Sequence, residues 1–200
     1  MSSHDFSTSL RYEQSKFPVQ DKFYTEQLGA KVISRADFKD AIGRELQRKD
    51  IDVQFVYNGR LINVSEKNRQ VDYGDLLIEF YSKFPHTRGW MDNSDADYLA
   101  YFVPHRVYWI DKRQLEEFYH KELKKQVSDS VFNYAMTHFP RRSWRLGTKL
   151  RINGQWVNAS VLQAYNHPWG SEDEWYTESI SIPYDCIRRA GISVQTFDIA

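Results

Sequence analysis

The sequence predicts an α/β fold, and three observations carry that expectation. Two β-rich stretches flank Asn58-Gly59, the dipeptide most favoured in two-residue hairpin turns. Amphipathic helical stretches lie on either side of this hairpin. The order is helix, hairpin, strand, mixed connection, strand, helix, as in domains that lay helices against a sheet.

Taken in order, residues 1–16 are polar and Ser-rich and read as a frayed segment. A helix is expected over Val19–Leu28, stopped by Gly29. A second follows over 36–48, with Ala36, Ala41, Ile42 and Leu46 as its apolar face. Ile51–Tyr57 and Leu61–Lys67 alternate and form the hairpin, and Leu76–Tyr81 reads as a third strand. Asp95–Val103 and Val107–Ile110 read as further β segments separated by Pro104. A helix is expected over Asp111–Val127, with Leu115, Phe118, Tyr119 and Leu123 on one side, and Ser128–His138 extends the helical pattern to Pro140. Arg151–Val157 reads as a strand containing the Asn153-Gly154 turn, Ser179–Ile182 as another strand, and Pro183–Ala190 as a short helix ended by Gly191. Tyr98, Tyr101, Tyr108 and Trp109 are assigned to the core. Residues 17–127 are thus expected to form the core and 128–200 a C-terminal extension packed on it.

Composition narrows the function classes. The chain has 200 residues, and its 27 Lys and Arg balance its 27 Asp and Glu. A nucleic-acid ligand would therefore have to be met by locally clustered basic residues rather than by the average field. One cysteine, Cys186, excludes an internal disulfide and reads as a buried structural residue suited to a reducing compartment, the cytoplasm. No apolar run resembles a signal peptide or a membrane span. No P-loop, dinucleotide fingerprint or nucleophile elbow is present.

Alternation decides which side chains meet. Asp52 and Gln54 share one face of the first hairpin strand, and Asn63, Ser65 and Lys67 share one face of the second. Glu66 points the other way. On the third strand Glu79 sits among apolar residues, where a carboxylate is costly unless paired or metal-bound.

The run Gln47-Arg-Lys-Asp-Ile-Asp52-Val, the hairpin end Asn63-Val-Ser-Glu66-Lys67, the segment Asp72-Tyr-Gly-Asp75-Leu-Leu-Ile-Glu79, and Gly89-Trp90 together resemble a phage-type branch of the PD-(D/E)XK nuclease superfamily. The resemblance implies a mixed central sheet flanked by helices and a phage or mobile-element origin. It also implies a Mg²⁺- or Mn²⁺-dependent endonuclease acting on nucleic acid, DNA in preference to RNA. In that superfamily an Asp at the start of the hairpin and an acid-x-Lys on its second strand serve the metal and the attacking water. Asp52 matches the Asp and Lys67 the lysine. Ser65 stands where the second acid belongs, so that acid is expected from Glu79 or, through a bulge, from Glu66. The implied metal ligands are Asp52 with Glu79 or Glu66, and Lys67 completes the catalytic set. Ser65 equally supports a different class of function, a non-catalytic nucleic-acid-binding or partner-binding protein that keeps the fold.

Arg141, Arg142, Arg145, Lys149 and Arg151 fall in one stretch without an acid and with Trp144 among them. Arg141, Arg142, Arg145 and Lys149 are the candidate phosphate contacts, with a solvated loop as the structural alternative.

Overall fold

Asn58 and Gly59 both take positive φ, +50° and +75°, the pair of left-handed residues a tight hairpin demands. In a computed structural model, which describes residues 15–36, 40–168 and 170–199, they join β2 (Val53–Tyr57) to β3 (Arg60–Asn68). Before them a helix, α1, runs over residues 15–22 and passes into a π-helical turn, Phe23–Gln27. Next come β1 (Lys31–Arg35) and α2 (Ala41–Arg48), the latter capped by the Asp40 side chain, which accepts from Gly43 N at 2.6 Å. Then follow β4 (Asp75–Phe84), β5 (Thr87–Arg88), α3 (Trp90–Asn93), β6 (Tyr98–Val103) and β7 (Arg106–Asp111). Helix α4 starts at Lys112 and continues through a π-helical turn, Tyr119–Leu123, to Gln126. The chain ends with α5 (Asp129–His138), β8 (Trp144–Ile152), β9 (Gln155–Asn166), β10 (Trp175–Pro183), α6 (Tyr184–Arg189) and β11 (Val194–Asp198).

Two sheets result. The first has six strands in the order β1-β2-β3-β6-β7-β11, and is mixed because β3 and β6 run parallel while its other pairs are antiparallel. The second is wholly antiparallel, in the order β5-β4-β10-β9-β8. The α/β class, with a mixed sheet and flanking helices, is therefore observed.

Among the described residues the chain forms two compact units, neither continuous in sequence. One holds the chain up to Tyr73, Asn93–Arg113 and Ser193 onward, and so carries the mixed sheet. The other holds Gly74–Asp92 and Gln114–Ile192 and carries the antiparallel sheet. This division differs from a core over 17–127 followed by an extension over 128–200.

The mixed-sheet unit is built on Phe23, Tyr24, Val53, Phe55, Val64, Phe102, Val107 and Trp109, all buried. Tyr101, Tyr108 and Trp109 are buried and half-buried Tyr98 stacks on Trp109 at 4.6 Å, so the aromatic residues of β6 and β7 belong to the core as expected. The antiparallel unit packs Phe80 against Tyr119 and Phe132, at 5.0 and 5.9 Å. Cys186 is buried and unbridged.

Several local expectations need correction. Glu79, expected as a metal ligand beside Asp52, is carried by β4, which pairs with β10 in the antiparallel sheet and not with the hairpin. The apolar face assigned to α2 fails, since Ile42 is 75% exposed. The Asn153-Gly154 turn expected within Arg151–Val157 is observed, with φ +47° and +79°, and it separates two strands, β8 and β9, rather than interrupting one. Strands β1 and β11 were not anticipated. Residues 1–14 of the segment read as frayed lie outside the described residues.

Candidate active site

The hairpin's parity sorts its charged residues onto two faces. Register pairs Val53 with Val64 and Gln54 with Asn63, whose side chains hydrogen-bond at 2.7 Å. Ser65 and Lys67 share that face, and Glu66 faces the core side.

On the first face the organising group is Asp50. Helix α2 ends at Arg48 with Lys49 as its C-cap, and Asp50 takes φ +53° as the left-handed residue that stops it, a conformation Asp accepts with little penalty. Ile51 N then bonds back to Leu46 O at 2.9 Å, closing the helix end. This turn aims the Asp50 carboxylate at β3. One oxygen accepts from Lys67 Nζ at 2.6 Å and the other from Ser65 Oγ at 2.6 Å. Asp52 lies at the entry to β2 and reaches the same ammonium at 4.0 Å, while its Oδ2 also accepts the Glu66 backbone N–H at 2.7 Å. Burial raises the Asp52 carboxyl pKa; Lys67 opposes this, and the neighbouring Asp50 charge adds to it.

On the other face Glu66 is locked. Its oxygens accept from Arg35 at 2.8 and 3.3 Å and from Tyr24 OH at 2.8 Å. Arg35 also donates to Asp21 at 2.7 and 2.9 Å. Burial pushes the Glu66 carboxyl up against the opposing pull of Arg35. Burial alone would lower the Arg35 pKa, yet Glu66 and Asp21 hold it raised. Tyr24 is raised by burial and then by the Glu66 charge.

The structure thus brings Asp52 and Lys67 together. Glu66 is kept within the same few residues but committed to a cation on the opposite face. Glu79 lies on β4 in the antiparallel unit, where its backbone carbonyl abuts Gly89: a Cβ on that glycine would stand 2.3 Å from the Glu79 oxygen. Gly89 therefore allows a close backbone approach.

Asp50 and Arg35 were not singled out from sequence. The signal for Asp50 was its place after a helix stop, which assigns it a conformation but not a direction. Arg35 ends a short strand, Lys31–Arg35, whose five residues carry no turn or alternation signal strong enough to mark it.

Among the described residues no three Asp, Glu, His or Cys side chains gather into a ready-made metal cage. The hairpin still fits a hard divalent cation. On the Lys67 face two carboxylates, Asp50 and Asp52, stand beside one ammonium. Mg²⁺ needs only one or two carboxylates, the remainder of its shell being water and phosphate.

Of the basic stretch, Arg145 and Lys149 lie on β8, whereas Arg141 is paired with Glu174 at 3.1 Å. Arg142 precedes the strand, and its carbonyl accepts from Gln163 at 3.1 Å.

Comparison with known proteins finds no matching family model, no matching curated protein and no matching solved structure. Among the described residues no helix is long and apolar enough to cross a membrane.

Proposed function

We propose that this protein is a metal-dependent nuclease of the PD-(D/E)XK kind, hydrolysing phosphodiester bonds in nucleic acid, DNA in preference to RNA, in the cytoplasm. The observation that carries the reading is the convergence of Asp50 and Asp52 on the Lys67 ammonium, 2.6 and 4.0 Å away, at one end of a mixed sheet. Support also comes from Ser65. The side chain two residues before the lysine is not an acid, but its hydroxyl holds the Asp50 carboxylate where such an acid would project. The second carboxylate is then Asp50, in place of Glu79 or Glu66.

Asp50 and Asp52 would hold Mg²⁺ or Mn²⁺. When bound, such a cation polarises the scissile phosphate and acidifies coordinated water. Lys67 orients the attacking water and offsets charge that develops on the phosphate. Ser65 keeps Asp50 directed at the site. The Arg35–Glu66–Tyr24 network fixes the end of β3 from behind, so that Lys67 is presented from a rigid strand.

The test is a calorimetric Mn²⁺ titration beside cleavage assays on supercoiled, linear and single-stranded DNA. Cleavage should require Mg²⁺ or Mn²⁺ and stop with chelator. Asp52→Ala and Asp50→Ala should each weaken metal binding and abolish cleavage. Lys67→Ala should leave metal binding in place and slow cleavage by roughly a hundredfold or more. Folded protein that neither binds metal nor cuts any substrate would reject the nuclease. The second reading, a non-catalytic nucleic-acid-binding protein, would then stand. What favours that reading is that Lys67 and Glu66 already have internal partners.

A further inference from the structure

The chain contains no acid between Asp129 and Glu172, a span that includes Arg141, Arg142, Arg145, Lys149 and Arg151. The structure turns part of this span into one regular edge strand. Strand β8 is the outer edge of the antiparallel sheet, and its register with β9 runs without a bulge from Trp144 to Ile152. Alternation therefore sends Leu150 and Ile152 inward and Arg145, Gly147, Lys149 and Arg151 outward, and all four outward residues are exposed. Beside them β9 presents Asn158 opposite Lys149 and Trp156 opposite Arg151. Trp156 is 68% exposed, the most open of the large apolar side chains on either strand. Neither strand carries a carboxylate, and among the described residues Arg145, Lys149 and Arg151 enter no ion pair. Arg151 is steadied on this face by its Nε donating to Gly154 O at 3.3 Å.

We propose that the outer face of β8 and β9 is a binding platform for single-stranded nucleic acid. Arg145, Lys149 and Arg151 take phosphates, and Trp156 stacks on an unpaired base. Charge complementarity selects a polyanion. The exposed indole beside a row of cations selects a single strand over a duplex, because a stacked helix offers no free base face. Arg141 is excluded by its pairing with Glu174. The inference rests on the nuclease reading insofar as it names the strandedness of that enzyme's substrate.

The experiment is fluorescence anisotropy of a labelled oligo-dT of about 16 nucleotides and of a duplex of equal length. It is run on the full chain with chelator present, between about 50 and 200 mM salt. Replacing Arg145, Lys149 and Arg151 together by Gln should lower the salt slope for oligo-dT by about two, near 0.7 for each lost phosphate contact. Trp156→Ala should weaken oligo-dT roughly tenfold and leave the duplex unchanged. Unchanged affinity and slope in the triple variant would overturn the platform. So would equal effects of Trp156→Ala on both oligonucleotides, or binding to phosphatidylserine vesicles without binding to oligo-dT. All four positions are exposed, and matched urea midpoints establish that the variants are folded. A protein that binds oligo-dT here but never cleaves fails the nuclease reading and keeps this one; one that cleaves but shows no platform effect does the opposite.

Discussion

Each unit buries a carboxylate in its sheet, and the two are treated in opposite ways. Glu66, in the mixed-sheet unit, has both oxygens satisfied by Arg35 and Tyr24. Glu178 lies on β10 in the antiparallel unit, opposite Gln163 of β9 and Tyr81 of β4, and is 0% exposed. Neither of its oxygens has a hydrogen-bond partner among the described residues, and the same is true of the Gln163 Oε1 atom. Burial alone pushes the Glu178 carboxyl up to about 8. A buried acid can be kept charged by a cation or kept neutral by its proton. The first arrangement holds a fixed network around the candidate site; the second makes the stability of a sheet depend on pH.

The largest expected effect breaks the charged network. Arg35→Met strands Glu66 in the core and should lower stability by about 3–5 kcal/mol, measured by urea unfolding. Adding Glu66→Met should restore most of that loss, because no unpaired charge then remains. If the double variant were as unstable as the single, the network would be acting through packing rather than charge.

The pH dependence sharpens the comparison from the other side. Because the folded pKa of Glu178, about 8, lies above its ordinary 4.5, the native state binds the extra proton between those values. Stability should therefore fall as pH rises from about 4.5 to about 8 and level off above. Glu178→Gln should remove this part of the slope and should be more stable than the parent at pH 8, by roughly 1–3 kcal/mol. The check is a series of unfolding curves across that range. An unchanged slope in the variant would show that Glu178 does not carry it.

The smallest effect concerns the neutral donor to Glu66. Tyr24→Phe removes one hydrogen bond but leaves Arg35 in place, so about 1–2 kcal/mol should be lost. A loss as large as that of Arg35→Met would mean that Tyr24, and not the guanidinium, is the partner on which burial of Glu66 depends.

The two carboxylates also differ in how legible they were. Glu66 drew notice because it adjoins Lys67 in a strand of clear alternation, and its face follows from parity. Glu178 sits in Trp175–Pro183, of which only Ser179–Ile182 read as a strand, and nothing local marks it as buried. Glu79 shows the limit of the same method. Its strand and its apolar neighbours follow from local pattern, but its sheet does not, because hydrogen-bond partners between strands are chosen by segments a hundred residues apart, here β4 and β10.

What the sequence by itself determined is local. Asn58-Gly59 and the alternation around it specify a hairpin, and with it the opposite facing of Lys67 and Glu66, because positive φ and a two-residue period depend only on neighbours. Tertiary structure alone decided that the chain makes two sheets rather than one. It also decided that Asp50, thrown to the left-handed region at a helix end, meets Lys67, and that Arg35 from an unread strand claims Glu66. The physical reason is that burial and charge pairing are properties of surfaces assembled from distant segments. The cost of leaving a carboxylate unpaired there is set by whichever segment arrives beside it.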